Sequence, residues 1–251
     1  MTRVILSGCS GKMGKVVASV IREREDCIVV AGLDLVKEPN SPFPVFAKPE
    51  EISIEADVIV DFSHISVLEP LLAYAKAKGI PTVLATTGYS DSQVKGIHQA
   101  AEHIPVFYTR NMSLGINLMA SLAQKAAAVL GGSFDIEIVE RHHNQKIDAP
   151  SGTALLLADA INEELDHRYK YEFDRHSQRK KRDKNEIGLH AIRGGTIVGE
   201  HDVIFAGHDE VMTLSHAAYS KEVFAAGAVN AAVFMAGKSE ARLYDMADLV
   251  G

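Results

Sequence analysis

The opening of this chain constrains it most. An apolar run, Val4-Ile5-Leu6, breaks into Gly8-Cys9-Ser10-Gly11-Lys12-Met13-Gly14 and then into a helical pattern. A strand that turns through three glycines into a helix brings backbone close to a ligand and aims the first helical N–H groups at it. Phosphate suits such a corner. The spacing is G-x-x-G-x-x-G rather than the commoner G-x-G-x-x-G, so the surroundings must carry part of the argument. Asp34 ends the second apolar run twenty residues after Gly14, where a carboxylate can hydrogen-bond a ribose diol. Loop and acid together predict a dinucleotide site.

The rest of the first half follows the same grammar. Strands are expected at 3–7, 27–33, 57–62, 81–86 and 105–109, with helices at 12–24, 66–78 and 90–102. The strand candidates are nearly continuous in apolar residues, as parallel strands covered on both faces are. Ser66 with Glu69, and Ser90 with Gln93, have capping-box spacing, and Gly79 reads as a helix stop. The fold class is therefore α/β, a Rossmann-type doubly wound parallel sheet. Segment 37–49, with Pro39, Pro42, Pro44 and Pro49, reads as an ordered surface excursion.

The pattern changes after Asn111. A long helix at 114–130 ends at Gly131-Gly132, and a strand follows at 134–142. Its alternation puts Phe134, Ile136 and Ile138 on one face, with Asp135, Glu137 and Glu140 mostly on the other. A helix at 152–165 and strands at 188–193, 196–205 and 210–216 predict a second, α+β domain on an open mixed sheet. The alanine-rich helix at 221–238 is free to return to the first domain. The expected division is 1–110 with 217–251, and 111–216.

Composition excludes several classes. Net charge is -7 over 251 residues, which disfavours nucleic acid and anionic membrane as partners. Cys9 and Cys27 are the only cysteines and form no CxxC, which implies no metal framework and a reducing compartment. No apolar stretch reaches the ~18 residues of a membrane span, so a soluble, cytoplasmic protein is expected. The basic run Arg179-Lys180-Lys181-Arg182 is mixed with Asp183 and Glu186 and reads as a solvated loop.

A second segment carries chemistry: Glu140-Arg141-His142-His143-Asn144-Gln145-Lys146-Ile147-Asp148-Ala149-Pro150-Ser151-Gly152-Thr153-Ala154. It holds two imidazoles and an ammonium, then a small-residue turn into a helix. That helix start offers N–H groups to an anion, and Thr153 adds a hydroxyl. Lys146 can pair with a carboxylate or deliver a proton, and a histidine can do acid–base work near neutral pH. Zinc is disfavoured, because adjacent strand residues face opposite sides. Ser151 reads as an N-cap rather than a nucleophile.

Glu-x-His-His-x-x-Lys-x-Asp-Ala-Pro-Ser-Gly-Thr-Ala is similar to the substrate signature of the dihydrodipicolinate reductase family. Residues 8–14 resemble that family's nucleotide loop. Ala85-Thr86-Thr87-Gly88 and Arg110-Asn111-Met112-Ser113-Leu114-Gly115 resemble its cofactor-lining segments, and Arg193-Gly194-Gly195 and Gly199-Glu200-His201 its later signatures. The resemblance covers nearly the whole chain. It implies reduction of 4-hydroxy-tetrahydrodipicolinate, a small dicarboxylate of the diaminopimelate route to lysine, by NADH or NADPH without a metal. It further implies a Rossmann domain completed by the C-terminal helix, and a central domain that binds substrate and builds a homotetramer.

Carried over by position, His142 and Lys146 are the acid–base residues, and their roles are not divided by the sequence. His143, Lys146, Gly152 and Thr153 would hold the substrate carboxylates. Gly8, Cys9, Ser10, Gly11, Lys12, Met13, Asp34, Ala85, Thr86, Thr87, Thr109, Arg110, Asn111 and Met112 would line the dinucleotide. Asp34 departs from members with glutamate followed by arginine. A carboxylate repels a 2′-phosphate and Leu35-Val36 offer no arginine, so a mild NADH preference is expected. A semialdehyde dehydrogenase would need a cysteine in its second domain, where this chain has none. A non-catalytic NAD(H) sensor would leave the His142–Lys146–Thr153 cluster without a role.

Overall fold

In the computed structural model, which describes residues 1–250, the opening apolar run is β1 (Thr2–Ser7), followed by α1 (Lys12–Arg22). Then come β2 (Cys27–Leu33), β3 (Val45–Phe46), β4 (Val58–Asp61), α2 (Leu68–Lys78), β5 (Thr82–Leu84), α3 (Asp91–Ala101) and β6 (Val106–Tyr108). The middle of the chain supplies α4 (Leu114–Leu130), β7 (Asp135–His142), α5 (Gly152–Glu164), β8 (Lys170–Glu172), β9 (Glu186–Arg193), β10 (Gly199–Ala206) and β11 (Val211–Ala218). The end supplies α6 (Glu222–Met235), β12 (Leu243–Tyr244) and α7 (Met246–Val250).

Among the described residues, seven strands form one sheet in the order β12-β6-β5-β4-β1-β2-β3, with every neighbouring pair parallel. Five form a second sheet, β11-β10-β7-β9-β8. It is mixed: β9 runs parallel to β7 and β8, while β10 is antiparallel to β7 and β11. The Rossmann-type sheet and the mixed sheet are thus both present. The chain divides into two compact units, Met1–Ser113 with the segment from Lys221 on, and Leu114–Ser220. The expected segment 217–251 ends at Gly251, which lies outside the described residues.

In the first unit, Ile5, Ile59 and Leu84 pack under α2 and α3, against Leu71, Ala75, Ile97 and Ala101. Helices α1 and α6 pack against each other and on the sheet. Residues Gly14, Val17 and Ile21 recur at helical spacing and form the buried stripe of α1. In the second unit, Ile136, Ile138, Ile187, Leu189, Val203 and Phe205 lie beneath α4 and α5, with Ala123, Ala127, Leu157, Ala158 and Ile161. Burying each large aliphatic contributes roughly 1.5–3 kcal/mol over exposure.

Ser90 and Gln93 form the expected capping box of α3, and Gly79 closes α2 with φ 65°. Ser66 does not cap α2. The His64 imidazole accepts the Ser66 N–H and starts a 3-10 turn, Ile65–Val67, that leads into the helix. Segment 37–49 contains β3, because the Asp34 and Gly32 N–H groups donate to Phe46 and Pro44 carbonyls. The basic run is not a solvated loop throughout. Arg182 bonds Glu137 at 2.9 Å and Asp135 at 3.0 Å, and Arg175 bonds Glu137 and Glu186. Carboxylates on β7 and β9 hold these two guanidinium groups, while Arg179 and Lys181 stay exposed. No described helix is long and apolar enough to cross a membrane.

Candidate active site

In the first unit, the carboxyl ends of β1, β2 and β4 converge on the glycine loop. The Gly8 N–H donates to the Leu33 carbonyl at 2.8 Å, and the Phe62 N–H to the Ser7 carbonyl at 3.0 Å. The chain enters Gly8 with φ +78°, and a Cβ there would stand 2.6 Å from the Phe62 carbonyl oxygen. A Cβ at Gly14 would stand 2.1 Å from the Gly8 carbonyl oxygen, so α1 starts directly against the loop. Among the described residues, no side chain caps α1 and no acid occupies its first turn. The N–H groups of Lys12 and Met13 therefore remain available for an anion.

Asp34 stands at the end of β2 beside this cradle. One carboxylate oxygen accepts the Ser10 N–H at 3.0 Å and the other the Val36 N–H at 3.1 Å. Each keeps a second lone pair for a ribose hydroxyl. The Ser10 hydroxyl donates to the Val36 carbonyl at 2.6 Å and ties the two loops together. Cys9 turns inward, its sulfur packed with Phe43 over Gly32, and burial pushes its thiol up. Within the loop its sulfur meets the Ser10 hydroxyl at 3.9 Å. Lys12 is exposed and Met13 half-buried. The cradle and the ribose acid fit a dinucleotide.

Asp61, fully buried at the end of β4, ties that strand end to the end of β5. It accepts the Ser63 hydroxyl at 2.6 Å, the Thr86 hydroxyl at 2.8 Å and the Tyr89 phenol at 3.2 Å. Sequence reasoning missed it. The available signal was a carboxyl closing the apolar run Val58-Ile59-Val60. Its backbone carbonyl holds the Ala85 N–H at 2.9 Å, and Thr87 stays exposed. Thr109 accepts the Asn111 N–H at 3.3 Å, and the Asn111 side chain accepts the Ser113 N–H at 2.8 Å. Arg110 is exposed, whereas Met112 is buried in the core of its unit.

In the second unit, β7 delivers the histidine segment. Residues 136, 138, 140 and 142 all face inward, so Glu140 lies on the buried face and not with the outward acids Asp135 and Glu137. Three partners permit this. Arg193 grips both Glu140 oxygens at 2.7 Å, the Ser151 N–H donates at 3.0 Å, and His142 Nδ1 lies 2.6 Å away. Burial alone would raise this carboxyl. Arg193, His142 and the Ser151 N–H outweigh burial and hold it below the usual range. For His142, burial lowers the imidazolium, Glu140 offsets only part of that, and Lys146 and Arg193 lower it further.

The turn after β7 brings Lys146 back. Its N–H donates to the His143 carbonyl at 3.1 Å, and its ammonium pairs with Asp148 at 2.9 Å. The His142 carbonyl and the Asn144 N–H bond Gly194 and Gly195, at 2.9 and 3.2 Å, so Arg193-Gly194-Gly195 clamps the segment. Ser151 caps α5 through the Ala154 N–H at 3.1 Å, which leaves Gly152 and Thr153 as the helix's first two residues. His201 reaches the Ser151 hydroxyl at 3.1 Å and meets His142 edge-on, with ring centroids 5.2 Å apart. A Cβ at Gly199 would press on His142 Nε2 at 3.1 Å, so that glycine keeps the ring's outer nitrogen clear. His143 is half-buried beside these groups.

Residues 2–112 match the family described as dihydrodipicolinate reductase, N-terminus, and residues 115–250 its C-terminus. The 4-hydroxy-tetrahydrodipicolinate reductase of Caldanaerobacter subterraneus subsp. tengcongensis is 52% identical over 100% of this chain and 98% of its own. Its namesake from Clostridium novyi is 49% identical with the same coverage of both chains. Among solved structures, the dipicolinate-bound dihydrodipicolinate reductase of Paenisporosarcina sp. TG-14 superposes with a TM-score of 0.82 at 27% identity, covering 98% of this chain and 97% of that one. By both halves of its sequence and by its fold, the chain belongs to the dihydrodipicolinate reductase family.

Proposed function

We propose that this protein reduces 4-hydroxy-tetrahydrodipicolinate to tetrahydrodipicolinate with NADH or NADPH, in the diaminopimelate route of lysine biosynthesis. The observation that carries the reading is the second unit's constellation. Glu140, gripped by Arg193, holds an imidazole and a helix N-cap together, and the turn between them carries the Lys146 ammonium, paired with Asp148. The two relatives named for this reaction, each about half identical over full length, support it.

The first unit holds the dinucleotide through Gly8 to Met13, Asp34, the Ala85–Thr87 turn and the Thr109–Met112 turn. The bound dihydronicotinamide supplies the hydride. In the second unit, Lys146, His143 and the Gly152-Thr153 N–H groups hold the substrate carboxylates, fixing the ring before reaction. His142 and Lys146 manage the protons, one leaving with water from the 4-hydroxy substrate and one needed where the reduced ring is electron-rich. The reading extends to a metal-independent cytoplasmic homotetramer built by the second unit. Asp34, fixed by two backbone N–H groups, disfavours a 2′-phosphate, so NADH is the preferred cofactor.

The test is cofactor oxidation at 340 nm, with the unstable substrate generated in situ by its synthase from pyruvate and aspartate semialdehyde. Rapid synthase-dependent oxidation is expected, with the higher kcat/KM for NADH. Equal or better kcat/KM with NADPH removes the Asp34 argument. No oxidation while NADH still binds removes the substrate assignment.

A further inference from the structure

Glu140 is a buried charge that the reaction as described does not use. Its carboxylate offers about four lone-pair sites. Two are filled by the Arg193 fork at 2.7 Å and a third by the Ser151 N–H at 3.0 Å. These three partners are donors without alternative. The fourth site faces His142 Nδ1 at 2.6 Å. An ionised carboxylate can only accept, so the proton in that bond belongs to the imidazole. The ring's other nitrogen, Nε2, is the one that Gly199 leaves clear.

We propose that Glu140 is a positioning residue for the reductase reaction: it locks His142 as the Nδ1–H tautomer and presents Nε2 as the atom through which this histidine exchanges protons. The assignment rests on the function proposed above for its kinetic consequence, but not for the tautomer itself. It also gives Arg193 a role. The guanidinium neutralises Glu140, so the carboxylate orients His142 without drawing a permanent second proton onto the ring. The buried state of His142 agrees, since burial favours the neutral imidazole. The geometry further connects the tautomer to α5, because the same carboxylate holds the backbone of that helix's N-cap, Ser151. One group thereby sets the ring's orientation and the position of the helix N-terminus together.

Two measurements test this. Long-range proton–nitrogen NMR of the parent protein at neutral pH reads each histidine tautomer without any turnover. His142 is expected with a protonated Nδ1 and a bare Nε2, and a protonated Nε2 with a bare Nδ1 overturns the proposal. Kinetics of Glu140→Gln, alone and combined with His142→Ala, then separate positioning from bulk structure. In the parent background kcat is expected to fall by about 100-fold, within the range for a general acid–base group, with NADH affinity little changed. In the His142→Ala background the second change should cost almost nothing, because the ring it positions is gone and the glutamine Oε1 still accepts the Ser151 N–H. An equal loss in both backgrounds overturns the assignment. Should the parent fail to reduce the dicarboxylate at all, the function proposed above falls, and the NMR spectrum still decides the tautomer.

Discussion

At the scale of single residues, the site buries a carboxylate only where its lone pairs are filled, while Arg193 Nε and His201 Nδ1 lie buried without a hydrogen-bond partner. A buried carboxylate left unpaired costs several kcal/mol, and Glu140 avoids this by filling its lone pairs with Arg193, Ser151 and His142. This is why strand alternation misplaced it: a glutamate is read as outward unless its partners, distant in sequence, are known. His201 is the costly member of the cluster. Burial pushes its pKa down to about 4, with His142 as the next cause. The unfolded chain takes up a proton at this residue below about pH 6.5, whereas the folded chain does so only near pH 4. Stability therefore falls as pH drops through that window, by about 1.4 kcal/mol per pH unit for this group. Urea midpoints measured at pH 7 and pH 5 should show the slope, and His201→Asn should flatten it. An unchanged slope in that variant would assign the loss to other groups.

At the scale of elements, the corner between β1 and α1 has no slack. Gly14 packs its Cα against the Gly8 carbonyl, and Gly14→Ala would drive a methyl to 2.1 Å from that oxygen unless α1 moves. Overpacking of this kind costs roughly 1–3 kcal/mol. It should weaken NADH binding by about 10- to 100-fold, read by fluorescence titration, while the second unit's His142 tautomer spectrum stays unchanged. Unaltered NADH affinity would show that the α1 N-terminus does not hold the dinucleotide. Glycine spacing made this corner legible, as capping-box spacing did for Ser90 and Gln93. The two-residue strands β3 and β12 and the three-residue β8 were not legible, being too short for periodicity to register. Ser66 shows the converse failure: the spacing was present, but His64 supplied the cap from outside the motif. Arg182 shows a third, since it lies in a loop and its carboxylate partners are 45 and 47 positions away, on β7.

At the scale of the whole molecule, the alternation of strand and helix marked a parallel sheet, and the change of pattern after Asn111 marked a mixed one. Sheet order was less accessible. The pairing of β7 with β9 in parallel and with β10 in antiparallel depends on long-range register that local pattern does not encode. The histidine and lysine residues of the site were named from one continuous segment. The groups that orient them, Glu140, Arg193, Gly199 and His201, come from three strands and acquire meaning only when those strands are side by side. In the proposed reaction this assembly holds a cyclic dicarboxylate while it accepts a hydride. The most direct measurement is mass spectrometry of the product formed with NADH doubly deuterated at C4, the substrate being made in situ. Tetrahydrodipicolinate carrying one deuterium atom is expected. Oxidised cofactor with no deuterium in that product would contradict the proposed reaction.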